Sequence, residues 1–369
     1  MDQNKLEKIL KGEPGFRLKQ IKKAVFRELI ENWDEISTLP KDLRERLSKE
    51  CPISELEEEK VLISKDKQTI KALFKLKDGW KIESVLMRHI GERITVCVSS
   101  QVGCAIGCEF CATGQQGFKR NLSSGEMVDQ VLFFARTARV GDEVCPLQGL
   151  PSSSRFTAVR VTNVVFMGMG EPFLNYDNVL EAIKILNDKD GFNLGIRHIS
   201  ISTAGIVDGI KKFSQEKIQV NLAISLHSPN NKLRTKLMPI NKTYPIEKVL
   251  AAVDEYIKKT NRKVMFEYLM IDKVNDSEAQ AEELAKIMKK PLYLVNLISF
   301  NPVSHSTFKS SSDLSIKKFR EILEKNKVAF TQRHRFGQEI QAACGQLAGE
   351  VDEATASSSP SSRFARLGK

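Results

Sequence analysis

No run of eighteen apolar residues occurs anywhere in the 369-residue sequence, which excludes a membrane-spanning helix. The first residues, Met-Asp-Gln-Asn-Lys-Leu-Glu-Lys, lack the apolar centre of a secretory signal. An even, regularly spaced cysteine set is missing too. There are seven cysteines, unevenly placed, three of them within eight residues, so this is not a secreted disulfide framework. Clustered thiolates need a reducing compartment, and the expected location is the cytoplasm. No internal repeat is visible. Lysines are spread rather than blocked, yet the net charge is +11 and the pI about 9.2. That balance suggests a polyanionic partner, nucleic acid first, although a generally basic proteome would give the same sum. With 41% hydrophobic and 28% charged residues, the chain has the composition of a globular protein large enough for a sizeable core.

What is present falls into three stretches. Residues 1–90 read as a small α+β accessory domain. Leu18, Ile21, Val25 and Leu29 recur at helical spacing, Leu39-Pro40 breaks the pattern, and Leu43 and Leu47 begin another helix. Ile70, Ala72, Phe74 and Leu76 alternate with polar neighbours and predict a half-exposed strand. Asp78-Gly79 is a hairpin turn signal, with a return strand over 82–87. Residues 91–350 change rhythm. Apolar strands are expected near 94–99, 163–168, 198–203, 219–226, 263–270, 292–299 and 327–332, with helical segments between them. Ser123-x-x-Glu126 is a capping box, and Pro245 stands at a helix start. Such alternation predicts an α/β fold of parallel units closing into a full or partial barrel. Residues 139–157 read as an inserted loop and 351–369 as a disordered tail rich in Ser and Ala.

The richest chemistry lies in Gly103-Cys104-Ala-Ile-Gly-Cys108-Glu-Phe-Cys111, a C-x3-C-x2-C run with no fourth ligand nearby. A structural zinc site closes with four protein ligands, and a closed [4Fe–4S] cluster takes four cysteines. Three thiolates would leave one iron open to a substrate or cofactor. The competing reading is a zinc knuckle whose fourth ligand is remote. This spacing resembles the signature of radical S-adenosylmethionine (SAM) enzymes, in which the open iron chelates SAM.

The other polar motifs fall at strand ends, where barrels place their chemistry. Gly168-Met-Gly170-Glu171 follows the second strand of the barrel. Its glycines allow close backbone approach, and Glu171 can accept from an ammonium group; the alternative is a tight turn with a solvent-facing carboxylate. Ser202 ends the third strand, Ser225-Leu226-His227 the fourth, and Asn301 follows the sixth. These neutral polar groups suit ribose hydroxyls and a carboxylate, and each taken alone is as well explained as a turn residue. His227 divides evenly between a ligand-shell residue and a capped loop histidine. Cys344, among small residues and before a glycine, suits a working thiol, and Cys97 lies seven residues before the cysteine run. A buried core cysteine is the alternative for both.

Taken in order, Cys97-Val-Ser-Ser-Gln-Val-Gly-Cys104, Gly114-Gln-Gln-Gly-Phe-Lys-Arg-Asn-Leu122, Met167-Gly-Met-Gly-Glu-Pro172, Ser225-Leu-His227, Met238-Pro-Ile-Asn241 and Ala342-Ala-Cys-Gly-Gln-Leu347 resemble the RlmN/Cfr family of radical-SAM RNA adenine methyltransferases, from about residue 10 to 350. The resemblance implies a partial radical-SAM barrel. It implies a [4Fe–4S] cluster on Cys104, Cys108 and Cys111, and SAM held by Gly170, Glu171, Ser202, Ser225, Leu226, His227 and Asn301. It also implies a reason for the chemistry: carbon 2 of adenine is not nucleophilic, so an ordinary methyl transfer fails. In the family a first SAM methylates a cysteine, here Cys344. A second gives a radical that takes a hydrogen from that methyl. The carbon radical adds to adenine, and Cys97 resolves the adduct through a transient disulfide with Cys344. Glu83 matches the family's acidic position, one residue further from Cys97 than the family spacing, and would remove the ring proton.

The implied partners are 23S rRNA, tRNA and a low-potential electron donor such as flavodoxin or ferredoxin, the enzyme acting as a monomer away from membranes. One subfamily methylates carbon 2 of an adenine in the peptidyl transferase centre, and often a tRNA adenine beside the anticodon; the other methylates carbon 8 of the same rRNA adenine. Pro172 and Leu174-Asn175 resemble the first group, Ser228 and Arg335-Phe-Gly337 the second, and carbon 2 is the expectation. A third reading, of another class, is a non-catalytic RNA-binding protein with a structural metal. Lys71, Lys75 and Lys77, on one strand face, are the expected RNA contacts.

Overall fold

The computed structural model describes residues 1–89, 91, 93–137, 160–303, 306–333 and 337–348. The expected loop at 139–157 and tail at 351–369 lie outside them. The N-terminal helices are α1 (Gln3–Ile9), α2 (Phe16–Lys23) and α3 (Lys41–Glu50). Ile21, Val25, Leu43 and Leu47 are buried, as their spacing requires. The helix begun at α2 ends where Leu29 turns left-handed (φ 58°), and Pro40 stands before the first residue of α3.

Three antiparallel strands follow: β1 (Leu56–Ile63), β2 (Thr69–Leu76) and β3 (Lys81–Arg88). The Asp78-Gly79 turn joins the last two, with Gly79 at φ 84°. The half-exposed reading of β2 is corrected. As the middle strand it is buried on both faces from Thr69 to Phe74, Lys71 included. The exposed strand is β1, a sheet edge guarded by Glu57, Glu58, Glu59 and Lys60 and broken by a register shift between Glu58 and Lys60.

The barrel begins with β4 (Ile94–Cys97), then a short ribbon of β5 (Gln101–Val102) and β6 (Arg120–Asn121). Between them lies α4 (Ala112–Gln115), and after them α5 (Ser124–Thr137), opened by the expected box: Ser123 N–H donates to Glu126 Oε2 at 2.8 Å and Glu126 N–H to Ser123 Oγ at 3.1 Å. Then come β7 (Asn163–Phe166), α6 (Tyr176–Asn187), β8 (Ile199–Thr203), α7 (Val207–Phe213), β9 (Asn221–Ser225), α8 (Asn231–Leu237), α9 (Ile246–Thr260), β10 (Val264–Met270), α10 (Glu278–Met288), β11 (Tyr293–Ser299), α11 (Asp313–Lys325) and β12 (Phe330–Gln332).

From β4 through β7 to β12, each strand pairs in parallel with the next. Each falls within an expected apolar run. β12 has no partner beyond β11 among the described residues, so the wall is an open, partial barrel. At its other end β4 pairs antiparallel with β3, so that β1–β4 and β7–β12 form one ten-stranded sheet. The fold is α/β, as expected, with the N-terminal strands continuing the barrel wall.

Candidate active site

Cys104, Cys108 and Cys111 lie in the loop from β5 to α4, at the strand ends that form the barrel rim. Glycines set the loop's path. A side chain on Gly103 (φ 69°) would meet the Gly117 carbonyl, which accepts from Cys104 N–H at 3.2 Å; one on Gly114 would lie 2.9 Å from Cys108 N. The three thiols are half-buried and free. Burial raises all three pKa values, Cys104 to about 12, and each is raised further by another thiol: Cys104 by Cys111, Cys108 by both of these, and Cys111 by Cys344. Such thiols stay protonated until a metal supplies the compensating charge.

Among the described residues no three His, Cys, Asp or Glu side chains gather as ligands of a single metal ion. Around one tetrahedral zinc, with Zn–S about 2.3 Å, sulfurs would sit about 3.8 Å apart. A four-iron cube presents separate iron corners and takes thiolates set wider apart. The donor set, three soft sulfurs and an open fourth position, fits the cube.

The residues expected around SAM surround this loop, with different roles. Glu171 is buried; its Oε1 accepts from Phe173 N–H at 3.0 Å and its Oε2 from Ala204 N–H at 2.6 Å. Burial pushes its pKa up to about 7 against these bonds, and its charge acts on Cys104 and Cys108. The glycines before it meet protein. A Cβ on Gly168 would lie 2.7 Å from Ser99 Oγ, and one on Gly170 (φ 100°) 2.5 Å from Gln101 Cβ. Their lack of a side chain therefore serves close packing of this turn on the segment after β4. Ser202 and Ser225, half-buried at the ends of β8 and β9, make no side-chain hydrogen bond among the described residues. Leu226 is buried, and the N–H groups of Leu226 and His227 both donate to the Glu267 carbonyl. Asn301 is buried; its Oδ1 accepts from Gln338 Nε2 at 2.8 Å.

Cys97, at the end of β4, and Cys344 line one cavity with Cys111, Met167, Asn301 and Arg333. Cys97 and Cys344 are 247 positions apart in the sequence, and the C-terminal segment crossing the rim brings them together. Burial, with Cys344 adding to it, pushes the Cys97 thiol up to about 12, while Arg333 opposes the rise. The chain just after Cys344 is tied down at three points. Ala112 N–H donates to Gly345 O at 2.8 Å, Thr113 Oγ1 to Leu347 O at 2.5 Å, and Gln346 Nε2 to Pro302 O at 2.8 Å.

Glu83 lies apart from the cavity wall. Its Oε1 pairs with Lys71 Nζ at 2.9 Å and its Oε2 accepts from Ala348 N–H at 2.8 Å. Lys71 Nζ also donates to Gln341 O at 3.3 Å. Lys71 is thus buried in an ion pair and withdrawn from solvent, which corrects its expected RNA contact. Lys77 pairs with Glu55 at 2.7 Å, and among the described residues Lys75 alone of the three is both exposed and without a partner. Sequence reasoning missed Arg333 and Arg234, and gave Lys71 a different role. Isolated basic residues carry no motif; only Lys71, a cation amid the apolar residues of a strand, offered a signal.

The comparisons agree with this geometry. The Radical SAM superfamily pattern matches residues 154–285. A protein of Streptococcus sanguinis named a probable dual-specificity RNA methyltransferase RlmN is 44% identical over 342 residues, covering 91% of this chain and 89% of its own. A protein of the same name from Chloroflexus aurantiacus is 44% identical over 344 residues, covering 92% and 88%. The crystal structure of a radical SAM methyltransferase from Sphaerobacter thermophilus superposes with a TM-score of 0.86 at 43% identity, covering 95% of this chain and 98% of that one. With such identity along nearly the whole length of the chain, it belongs to the RlmN family of radical SAM RNA methyltransferases, which work with a [4Fe–4S] cluster and SAM.

Proposed function

We propose that this enzyme methylates carbon 2 of an adenine in the peptidyl transferase centre of 23S rRNA, and of a tRNA adenine, through a methyl group carried on Cys344. The observation that carries this reading is the shared cavity of Cys97, Cys344 and Cys111. Cys104, Cys108 and Cys111 would hold the cluster, with SAM bound beside Glu171, Ser202, Ser225, His227 and Asn301. When bound, these cofactors supply a methyl group and a radical able to take hydrogen from a methyl carbon.

The chain's own residues do the rest. Cys344 takes the methyl on sulfur and presents its carbon to the base. Addition of the carbon radical leaves an adduct with one unpaired electron. As that electron returns to the cluster that Cys104, Cys108 and Cys111 would hold, Glu83 accepts the ring proton and a closed-shell adduct remains. Cys97 sulfur then attacks Cys344 sulfur. The sulfur–carbon bond to RNA breaks, its electron pair stays with the carbon, and a proton completes the new methyl group. The two cysteines are left as a disulfide, which a cellular dithiol reduces. For Glu83 to reach the base, Ala348 must release it, so RNA entry has to shift the Cys344 segment.

A low-potential donor of the flavodoxin or ferredoxin class supplies the electron, and the enzyme acts as a monomer. Against carbon 8, Ser228 is buried and spends its hydroxyl on Asn230 O at 2.9 Å, a turn contact. Arg335 and Phe336 lie outside the described residues.

Mass spectrometry of rRNA and tRNA nucleosides after incubation with the cluster-loaded enzyme tests the proposal. 2-Methyladenosine is expected; 8-methyladenosine would transfer the chain to the other subfamily, and neither product would end the reading. The two thiols should fail differently. Cys344→Ala carries no protein-bound methyl. Cys97→Ala is still methylated and stalls on RNA, giving an RNase-sensitive shifted band on a denaturing gel. Identical behaviour of the two variants would refute the division of labour.

A further inference from the structure

Arg234, on α8, is fully buried. Its guanidinium donates to five oxygens: Ala204 O at 2.7 Å, Asn241 Oδ1 at 2.9 Å, Ser225 O at 3.0 Å, Leu226 O at 3.2 Å and Tyr244 O at 3.3 Å. Every acceptor is neutral, and among the described residues no carboxylate pairs with it. A fully desolvated cation usually has an anionic partner, because its burial costs several kcal/mol that neutral dipoles offset only in part. The helix that carries Arg234 meets the cysteine loop directly: Glu109 N–H, one residue after Cys108, donates to Leu237 O near the end of α8 at 3.0 Å. The acceptors come from the turns after β8 and β9 and from the turn after α8. This cage fixes the planar guanidinium at one place beneath the rim.

We propose that Arg234 is a positioning residue for charge: it is the built-in counter-ion of the iron–sulfur cluster, and it raises the cluster's reduction potential. The inference rests on the reading that Cys104, Cys108 and Cys111 hold that cluster. A doubly positive four-iron core with three thiolates is a monoanion, and one further electron makes it a dianion. A fixed cation stabilises the dianion more than the monoanion, and net charge near a cluster is among the factors that set its potential. The missing carboxylate has a reason on this view. An acid paired with Arg234 would cancel the field and would itself oppose electron entry.

The alternative is a brace that only ties the turns together. A redox titration of the reconstituted holoenzyme, followed by electron paramagnetic resonance of the reduced cluster, separates the two. Arg234→Gln keeps a polar side chain and removes the charge. At a fixed solution potential its ratio of reduced to oxidised cluster should fall about tenfold, a drop in midpoint of about 59 mV for one electron. A full complement of iron with an unmoved midpoint would overturn the proposal.

Because glutamine cannot fill the cage, Asn241→Asp provides the second arm. It sets a carboxylate where Asn241 Oδ1 now accepts from Nη1, neutralising the arginine without replacing it. Its midpoint should also fall; an unmoved one overturns the proposal even if Arg234→Gln fails to fold. A wild-type protein that takes up no iron would sink the cysteine assignment and this inference with it. Loaded wild type with unmoved variants sinks this inference alone.

Discussion

His227 illustrates how tightly single residues are fixed at the rim. Its backbone is left-handed (φ 56°), unusual for a residue with a side chain. Nδ1 accepts from Leu269 N–H at 3.0 Å, which leaves the ring proton on Nε2. Phe110 packs edge-on at 4.8 Å between ring centroids, and the carbonyl accepts from Asn275 Nδ2 at 2.9 Å. Burial, with Arg234 adding to it, drives the pKa down to about 3. A histidine depressed in the fold and free near 6.5 in the unfolded chain contributes stability that is present above 6.5 and lost as pH falls toward 3. The loss is on the order of 1.4 kcal/mol per pH unit within that window. His227→Asn tolerates the left-handed backbone and cannot titrate. Urea midpoints of the apoprotein between pH 7 and 4 should therefore fall less steeply in the variant than in wild type. Parallel pH profiles would show that His227 does not govern acid sensitivity.

At the scale of elements, the β2–β3 ribbon grips the C-terminal segment. Lys71 reaches Gln341 O on one side of Cys344, and Glu83 takes Ala348 N–H on the other. Breaking a buried ion pair strands its partner, at about 3–5 kcal/mol. Lys71→Ala should lower stability by that order, measured by urea unfolding, and leave RNA affinity nearly unchanged. Lys75→Ala should do the reverse, weakening RNA binding and flattening its dependence on salt. Lost RNA affinity in a stably folded Lys71→Ala would contradict this assignment.

The same ribbon shows where sequence reading succeeds and stops. The hairpin was legible because Asp78-Gly79 is a local signal, and the barrel strands because β-branched runs are. The thiol run stood out because three ligands lie within eight residues. Burial of Lys71 was not legible. Period-2 alternation tells one strand face from the other, and it does not tell whether a neighbouring element covers the polar face. The approach of Cys97 to Cys344, far apart in the chain, came from family resemblance. No local pattern encodes a contact made by chain crossing the rim, and the carbonyl cage of Arg234 has the same character.

At the scale of the whole molecule, the barrel is open and the C-terminal segment bridges its rim. That segment is held by the cluster loop at Ala112 and Thr113, by β3 at Glu83 and by the turn after β11 at Pro302. The site is therefore assembled from parts distant in sequence, and the proposed transfers to Cys344 and from it to RNA would share one hinge after that cysteine. Gly345 follows Cys344 at φ 84°, and a Cβ there would stand 3.0 Å from the Phe110 carbonyl inside the cluster loop. Gly345→Ala pays a left-handed backbone penalty of about 1–2 kcal/mol and pushes the segment off that loop. Such a change leaves the thiol run intact while displacing Cys344. Iron content and SAM cleavage should persist, and methylation of Cys344 and of RNA should fall at least about tenfold, the effect of roughly 1.4 kcal/mol on a barrier. The ratio of 5′-deoxyadenosine formed to methyl transferred would rise accordingly. Equal losses of cleavage and transfer would instead mean that the segment supports the cluster itself. A ratio at the wild-type value with full activity would mean that the segment tolerates displacement, and the hinge would lie elsewhere.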